Sequence, residues 1–191
     1  PTPRDESQPY LLTRTIYRFD GGGYIDQFVK QIQVLEVASG RIDSLTQDEW
    51  NQTPLSWSPD GSELLYLASL NPDSIYTSPA LRVVNGAGES RTLLSNEWGI
   101  ISNAVWLSDG RIAFAGVRAG NRYGTKADLW VVNADGSGVE CRTEGLLTGI
   151  NGRMHDDMPV FWNMSAPVIL AAANDPEAVV CVQQGGEIHL V

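Results

Sequence analysis

Two histidines, His155 and His189, are the whole stock of imidazole in this 191-residue chain. Nucleophilic catalysis of the serine type has to recruit one of them as its base. A nucleophile elbow also needs glycine two residues before and two residues after its serine, so that a strained strand-to-helix turn can form. Gly88-Glu89-Ser90-Arg91-Thr92 meets the first requirement and fails the second, and no other serine meets both. No catalytic residue is therefore assigned. Metal chemistry fares little better. Asn133, Asp135, Ser137, Gly138 and Glu144 fall at positions of a calcium-loop pattern, but Glu140 occupies a place that is normally apolar and the flanks read as strand. That stretch is expected to be a hairpin turn. His155-Asp156-Asp157 offers three cation ligands, yet three adjacent residues in an extended strand cannot all face one ion. It reads as a polar loop between structural units. No metal and no cofactor are expected. The remaining candidate is a binding surface: Arg118-Ala119-Gly120-Asn121-Arg122-Tyr123-Gly124 is the longest polar loop of basic character in an acidic chain. Arg118, Arg122 and Tyr123, with His155 and Asp156, are the residues expected to meet a partner or substrate there.

The composition narrows the class of partner. Thirteen Lys and Arg against twenty-three Asp and Glu leave a net charge of −10, and the only lysines are Lys30 and Lys126. With no basic cluster to displace counterions, nucleic acid is not an expected partner. No apolar run approaches the length of a membrane span, so no membrane is expected either. A hydrophobic fraction of 42% with six tryptophans predicts a folded core. Cys141 and Cys181 read as free thiols of a reducing compartment, with a disulfide left open. The opening Pro1-Thr2-Pro3-Arg4-Asp5-Glu6-Ser7 reads as a linker, not a secretion signal. A cytoplasmic location is expected, with periplasm or secretion not excluded.

The elements that would position such a surface announce themselves as a repeat. Trp57-Ser58-Pro59-Asp60-Gly61 and Trp106-Leu107-Ser108-Asp109-Gly110 sit 49 residues apart, and each leads into an apolar strand, at 63–67 and 111–115. Glu49-Trp50 and Glu97-Trp98 keep the same phase. Self-similarity near 50 residues is the period of a propeller blade. The expected architecture is all-β, a partial β-propeller of about four blade-like units of four-stranded antiparallel sheet. After a tail at 1–8, the units are placed at 9–46, 47–95, 96–145 and 146–191. The first holds strands at 10–19, 31–37 and 41–46. The last is degenerate, with Asn163-Met164-Ser165-Ala166 where the Ser-Pro-Asp-Gly turn belongs. Trp57, Trp106, Trp130 and Trp162 recur at equivalent strand positions and are expected to pack between blades. Trp50 and Trp98 are expected in exposed inter-unit loops. Asp60 and Asp109 are expected to form turns through their own backbone amides.

On these residues the chain resembles the propeller repeat shared by TolB-type proteins and by prolyl-oligopeptidase-family serine peptidases. Tyr17-Arg18-Phe19-Asp20-Gly21-Gly22-Gly23-Tyr24, followed by a strand, the Ser39-Gly40 turn and Leu45-Thr46, is similar to the middle of the propeller in acylaminoacyl-peptidase-like members. The resemblance implies a non-catalytic propeller portion of such a hydrolase. Its partners would be a separate α/β-hydrolase domain and short peptide substrates whose access it gates. A TolB-like protein-interaction propeller with no associated enzyme is the alternative. Because four blades rarely close a ring alone, pairing is expected, either with a second copy as a homodimer or with further parts of a longer chain.

Overall fold

The computed structural model describes residues 9, 11–12, 17–19, 23–24, 29–69, 79–120, 125–146, 149–150, 169–172, 174–184 and 187–191. Every regular element among them is a β-strand. β1 (Arg18–Phe19) and β2 (Gly23–Tyr24) form a short antiparallel ladder, and β3 (Gln33–Leu35) pairs with β4 (Ile42–Ser44). β5 (Gln52–Trp57), β6 (Glu63–Ser69), β7 (Pro79–Asn85) and β8 (Ser90–Leu94) make a four-stranded sheet in sequential order. β9 (Trp98–Trp106), β10 (Ile112–Arg118), β11 (Asp128–Val132) and β12 (Glu140–Cys141) repeat that order in a second sheet. β13 (Ile169–Ala171), β14 (Ala178–Gln184) and β15 (Glu187–Leu190) form a third, three-stranded sheet. The architecture is all-β and that of a partial propeller, with two complete four-stranded sheets between smaller ones. Of the strand expected at 10–19, only Arg18–Phe19 is a strand among the described residues.

Three apolar layers hold the sheets face to face. Along β6, Leu64, Tyr66 and Ala68 point to one side, where they meet Ile32 and Leu45 of the β3–β4 unit. Leu65 and Leu67 point to the other, into the layer shared with Trp98, Ile101, Ala104, Trp106, Ile112 and Phe114 of the next sheet. β10 repeats the arrangement: Ile112 and Phe114 face back, while Ala113 and Ala115 face forward onto Ile150, Ile169, Val180 and Val182. Strands buried on both faces read as continuous apolar runs, which is how Leu64-Leu65-Tyr66-Leu67-Ala68 and Ile112-Ala113-Phe114-Ala115 stand in the sequence. Each buried Leu, Ile or Phe side chain contributes on the order of 1.5–3 kcal/mol. The inner strands β5 and β9 also touch directly, the Trp106 amide donating to Ser56 Oγ at 3.1 Å.

Trp106 and Trp130 lie in the layer between the two four-stranded sheets, as expected of repeat positions. Trp57, the repeat partner of Trp106, is instead 47% exposed. The reason is positional. On the side Trp57 faces, the apolar layer is supplied by Ile32, Val34 and Leu45, and these bear on β6 and β7 rather than on the end of β5. Trp50 is half-buried, and Trp162 lies outside the described residues.

One device links the units at twice the repeat and escapes a search for tryptophans. The Ile32 amide donates to Thr46 Oγ1 and the Leu129 amide to Thr143 Oγ1, both at 2.9 Å. The returning amides of Leu45 and Arg142 donate to the carbonyls of Ile32 and Leu129. Both threonines are buried. This shared hydroxyl clip marks β3 and β4 as counterparts of β11 and β12, the outer half of a blade.

The tight turns share one chemistry. Gly61 donates to the Ser58 carbonyl, Gly88 to Asn85, Gly110 to Leu107 and Gly136 to Asn133, each glycine at positive φ. Aspartates brace three of them: the amides of Ser62, Arg111 and Ser137 donate to Asp60, Asp109 and Asp135. Asn133, Asp135 and Ser137 thus bond one another across a hairpin, as expected of that stretch. Asp60 is held hardest. Ser58 Oγ donates to it at 2.6 Å, and the amide and hydroxyl of Ser62 add to the pull, lowering its pKa from 3.8 to about 2. Asp109 is also lowered, chiefly by the Arg111 side chain, and Asp135 chiefly by the Ser137 hydroxyl.

Two predictions follow from these turns. A depressed folded-state pKa stabilises the protein above the unfolded value and loses that stabilisation as pH falls toward the folded one. The unfolding midpoint of the native chain should therefore drop more steeply between pH 4 and 2 than that of Asp60→Asn. Matching slopes in thermal melts would contradict the assignment. Gly136 also touches the neighbouring sheet: a Cβ there meets the Leu93 carbonyl oxygen at 2.7 Å, whereas one at Gly61 meets nothing within 4 Å. Gly136→Ala should cost roughly 1–3 kcal/mol in urea unfolding, more than Gly61→Ala. Equal losses would place the 133–137 turn away from β8.

Candidate functional site

The sheet edges differ in kind. One edge carries the tight turns after β5, β7, β9 and β11, whose glycines and aspartates are spent on closing hairpins. The opposite edge carries the connections β4–β5, β6–β7, β8–β9 and β10–β11, most of them longer. Loops free of a turn's geometric demands are where a rigid β scaffold places recognition.

Arg118 stands at that second edge. It is the last residue of β10 and not, as the sequence suggested, the first residue of a loop; its Cα partner across the ladder is Trp98. Its guanidinium carbon lies 4.1 Å from the Trp98 ring centroid and 4.7 Å from that of Trp130. The two indoles meet edge to face at 4.9 Å and 81°, forming a corner into which the cation fits. Phe114 closes the back, T-shaped to Trp98 at 4.7 Å and stacked with Trp130 at 6.5 Å. Trp130 is fixed by its Nε1–H, which donates to the Gly116 carbonyl at 3.0 Å. Gly116 leaves room for these rings, because a Cβ there would lie 3.0 Å from both Phe114 and Trp98 and would press on them. The turn that follows is tied down as well, the Ala119 amide donating to the Glu97 carbonyl at 2.9 Å. Cation–π contacts of this kind add about 0.5–2 kcal/mol each, more as they are desolvated.

Trp98 is the residue that sequence reasoning misplaced. Expected in an exposed loop, it is fully buried at the start of β9. The strand reaches further back than the sequence suggested, and its added part holds two register shifts: against β10, Gly116 pairs with Ile101 after Ala115 pairs with Asn103, and Arg118 pairs with Trp98 after Val117 pairs with Ile100. Ser102 and Gly99 are therefore extra residues. Each bulge resets the alternation, so Trp98, Ile101, Ala104 and Trp106 all face inward at spacings of three, three and two. A strict period of two from Trp106 would have kept Trp98 inward, put Ile100 and Ser102 in the core in place of Ile101, and set Ile100 opposite Arg118.

Of the other expected contact residues, Arg122, Tyr123, His155 and Asp156 lie outside the described residues. The structure therefore builds one candidate feature, the Arg118 corner, from the set. His189, in β15, lies 3.6 Å from Glu187 and is well exposed. Among the described residues, no group of three or more His, Cys, Asp or Glu is placed to hold a metal ion, and no helix is long and apolar enough to cross a membrane.

No family model and no curated protein sequence matches this chain. Its likeness is to solved structures. TolB from Acinetobacter baumannii aligns with a TM-score of 0.57 at 11% identity, over 84% of this chain and 34% of that one. A putative TolB from Agrobacterium tumefaciens aligns at 0.54 with 17% identity, over 87% of this chain and 53% of that one. A puromycin hydrolase structure aligns more loosely, at 0.44 and 22% identity over 78% of this chain and 23% of that one. The chain thus spans about a third to a half of the TolB chains it matches. At these identities the likeness is one of fold: the chain is a partial all-β propeller, similar in fold to part of TolB.

Proposed function

We propose that the chain is the non-catalytic propeller portion of a larger, acylaminoacyl-peptidase-like serine hydrolase, where it admits short or unfolded peptides to a separate α/β-hydrolase domain. The observation that carries the recognition role is the asymmetry of the sheet edges. Hairpin closure occupies one edge, while the Arg118 corner and the longer connections share the other. The hydrolase partner is supported by the sequence similarity of 17–24 and of the Trp-Ser-Pro-Asp-Gly repeat. In such an arrangement the propeller covers the reaction and excludes water, and the hydrolase domain does the chemistry.

A TolB-like protein-interaction propeller without an enzyme is the second reading, and the fold likeness to two TolB chains favours it. Both readings share a consequence. Leu35, Val37 and Ile42 are exposed at one end of the arc, and Val179, Leu190 and Val191 at the other. Bare apolar faces of this kind call for further blades, from a second copy or from the rest of a longer chain.

Three experiments test this. The gene's full reading frame should carry a nucleophile elbow followed by Asp and His; a frame without them leaves the interaction module. The chain alone should not turn over acylated amino-acid esters. Turnover that survives repurification and disappears on mutating a residue of this chain would overturn the non-catalytic assignment. Light scattering on the isolated chain should show a dimer or larger species, and a monodisperse monomer would refute the pairing.

A further inference from the structure

Arg118 is set apart by what neutralises it. Among the described residues, Arg41, Arg82, Arg91, Arg111, Arg142 and Lys126 each lie within 4.0 Å of a carboxylate. In a chain with ten more acidic than basic side chains, that is the expected fate of a cation. Arg118 is held instead by two indole faces, and no described carboxylate lies within that distance. A guanidinium stays charged at any physiological pH and carries five N–H donors in a planar fork. Aromatic faces balance part of the charge but take up little of that donor capacity. The side chain is also ordered in advance, because Trp98 is fully buried and Trp130 is tied to Gly116. The rotamer entropy that a free arginine would lose on binding is already lost in folding.

We propose that Arg118 is a receptor for a peptide carboxylate at the long-connection edge of the propeller. It accepts the anion as a bidentate partner, with the half-buried Trp130 as an apolar wall beside it. This inference rests on the peptide-recognition reading above and specifies its chemistry: a C-terminal carboxylate or an acidic side chain, not a neutral peptide. The net negative charge of the surface repels acidic ligands elsewhere and leaves this corner as the place where one is held.

The test uses Ala-Ala-Phe as the free acid, the same tripeptide as its C-terminal amide, and Ala-Glu-Phe amide, each labelled at the N-terminus with an uncharged boron-dipyrromethene dye that has no carboxylate and titrated by fluorescence anisotropy. At least one carboxylate-bearing probe should bind about tenfold or more tighter than the neutral amide, as expected of a charge-assisted hydrogen bond. The arm that gains identifies a terminal or a side-chain carboxylate. Arg118→Gln should abolish the discrimination while near-UV circular dichroism retains the tryptophan signature. Arg118→Lys, which keeps the cation over the rings and loses the fork, should reduce the discrimination and serves in its place if Arg118→Gln does not fold. Equal binding of all three probes overturns the receptor and leaves peptide recognition standing, whereas no binding of any probe overturns both. Discrimination that survives undiminished in both variants places the anion elsewhere and also overturns the receptor.

Discussion

The structure depends on strands that are buried on both faces. β6 and β10 each send alternate side chains into two different apolar layers, so neither sheet has a free face at its centre. A single four-stranded sheet of this composition would leave Leu65, Leu81 and Val83, or else Leu64, Tyr66 and Val84, in water. Folding of one unit is therefore conditional on its neighbours, which is the nearest-neighbour energetics of a repeat array. The same condition explains why an arc that stops carries apolar side chains at both ends.

The layers also decide where function can lie. Hairpin turns at one edge are closed by glycine at positive φ and by aspartates that bond nearby amides, which leaves those carboxylates little freedom to act on anything else. At the other edge, two bulges in β9 bring Trp98, in place of Ile100, opposite Arg118 and so create the corner that receives it. The feature of most functional interest is thus a by-product of broken register, built on the rigid layer between sheets and not on a loop. Rigidity of that origin supplies a preorganised cation without requiring any ligand to order it.

The repeat and its turns were legible because they rest on local chemistry. Asp-Gly turns and continuous apolar runs carry their signal within a few residues, and the all-β architecture follows from their spacing. What stayed hidden depends on partners distant in sequence. The burial of Trp98 stayed hidden because β9 reaches back to it, and its place opposite Arg118 because Gly99 and Ser102 are extra residues against β10. Trp57 was misassigned because its burial depends on what the preceding unit supplies, while its own sequence setting matches that of Trp106. Arg118 was picked out for its basic surroundings, but the aromatic corner that holds it draws on β9, β10 and β11 at once, and no linear pattern reports it. The Thr46 and Thr143 clips recur at twice the period and are single residues, too sparse a signal to read unaided.

If the sheets share their apolar layers, damage to one must be felt in the next. Native-state hydrogen exchange on a Leu65→Ala variant tests this most directly, because Leu65 belongs to β6 and its layer is completed by Ile112 and Phe114 of β10. The truncation should cost roughly 2–5 kcal/mol, and the protection of amides in 112–115 should fall together with that in 63–69. Protection of β10 that stays at its native level while β6 opens would show two independent sheets and contradict the stacked propeller.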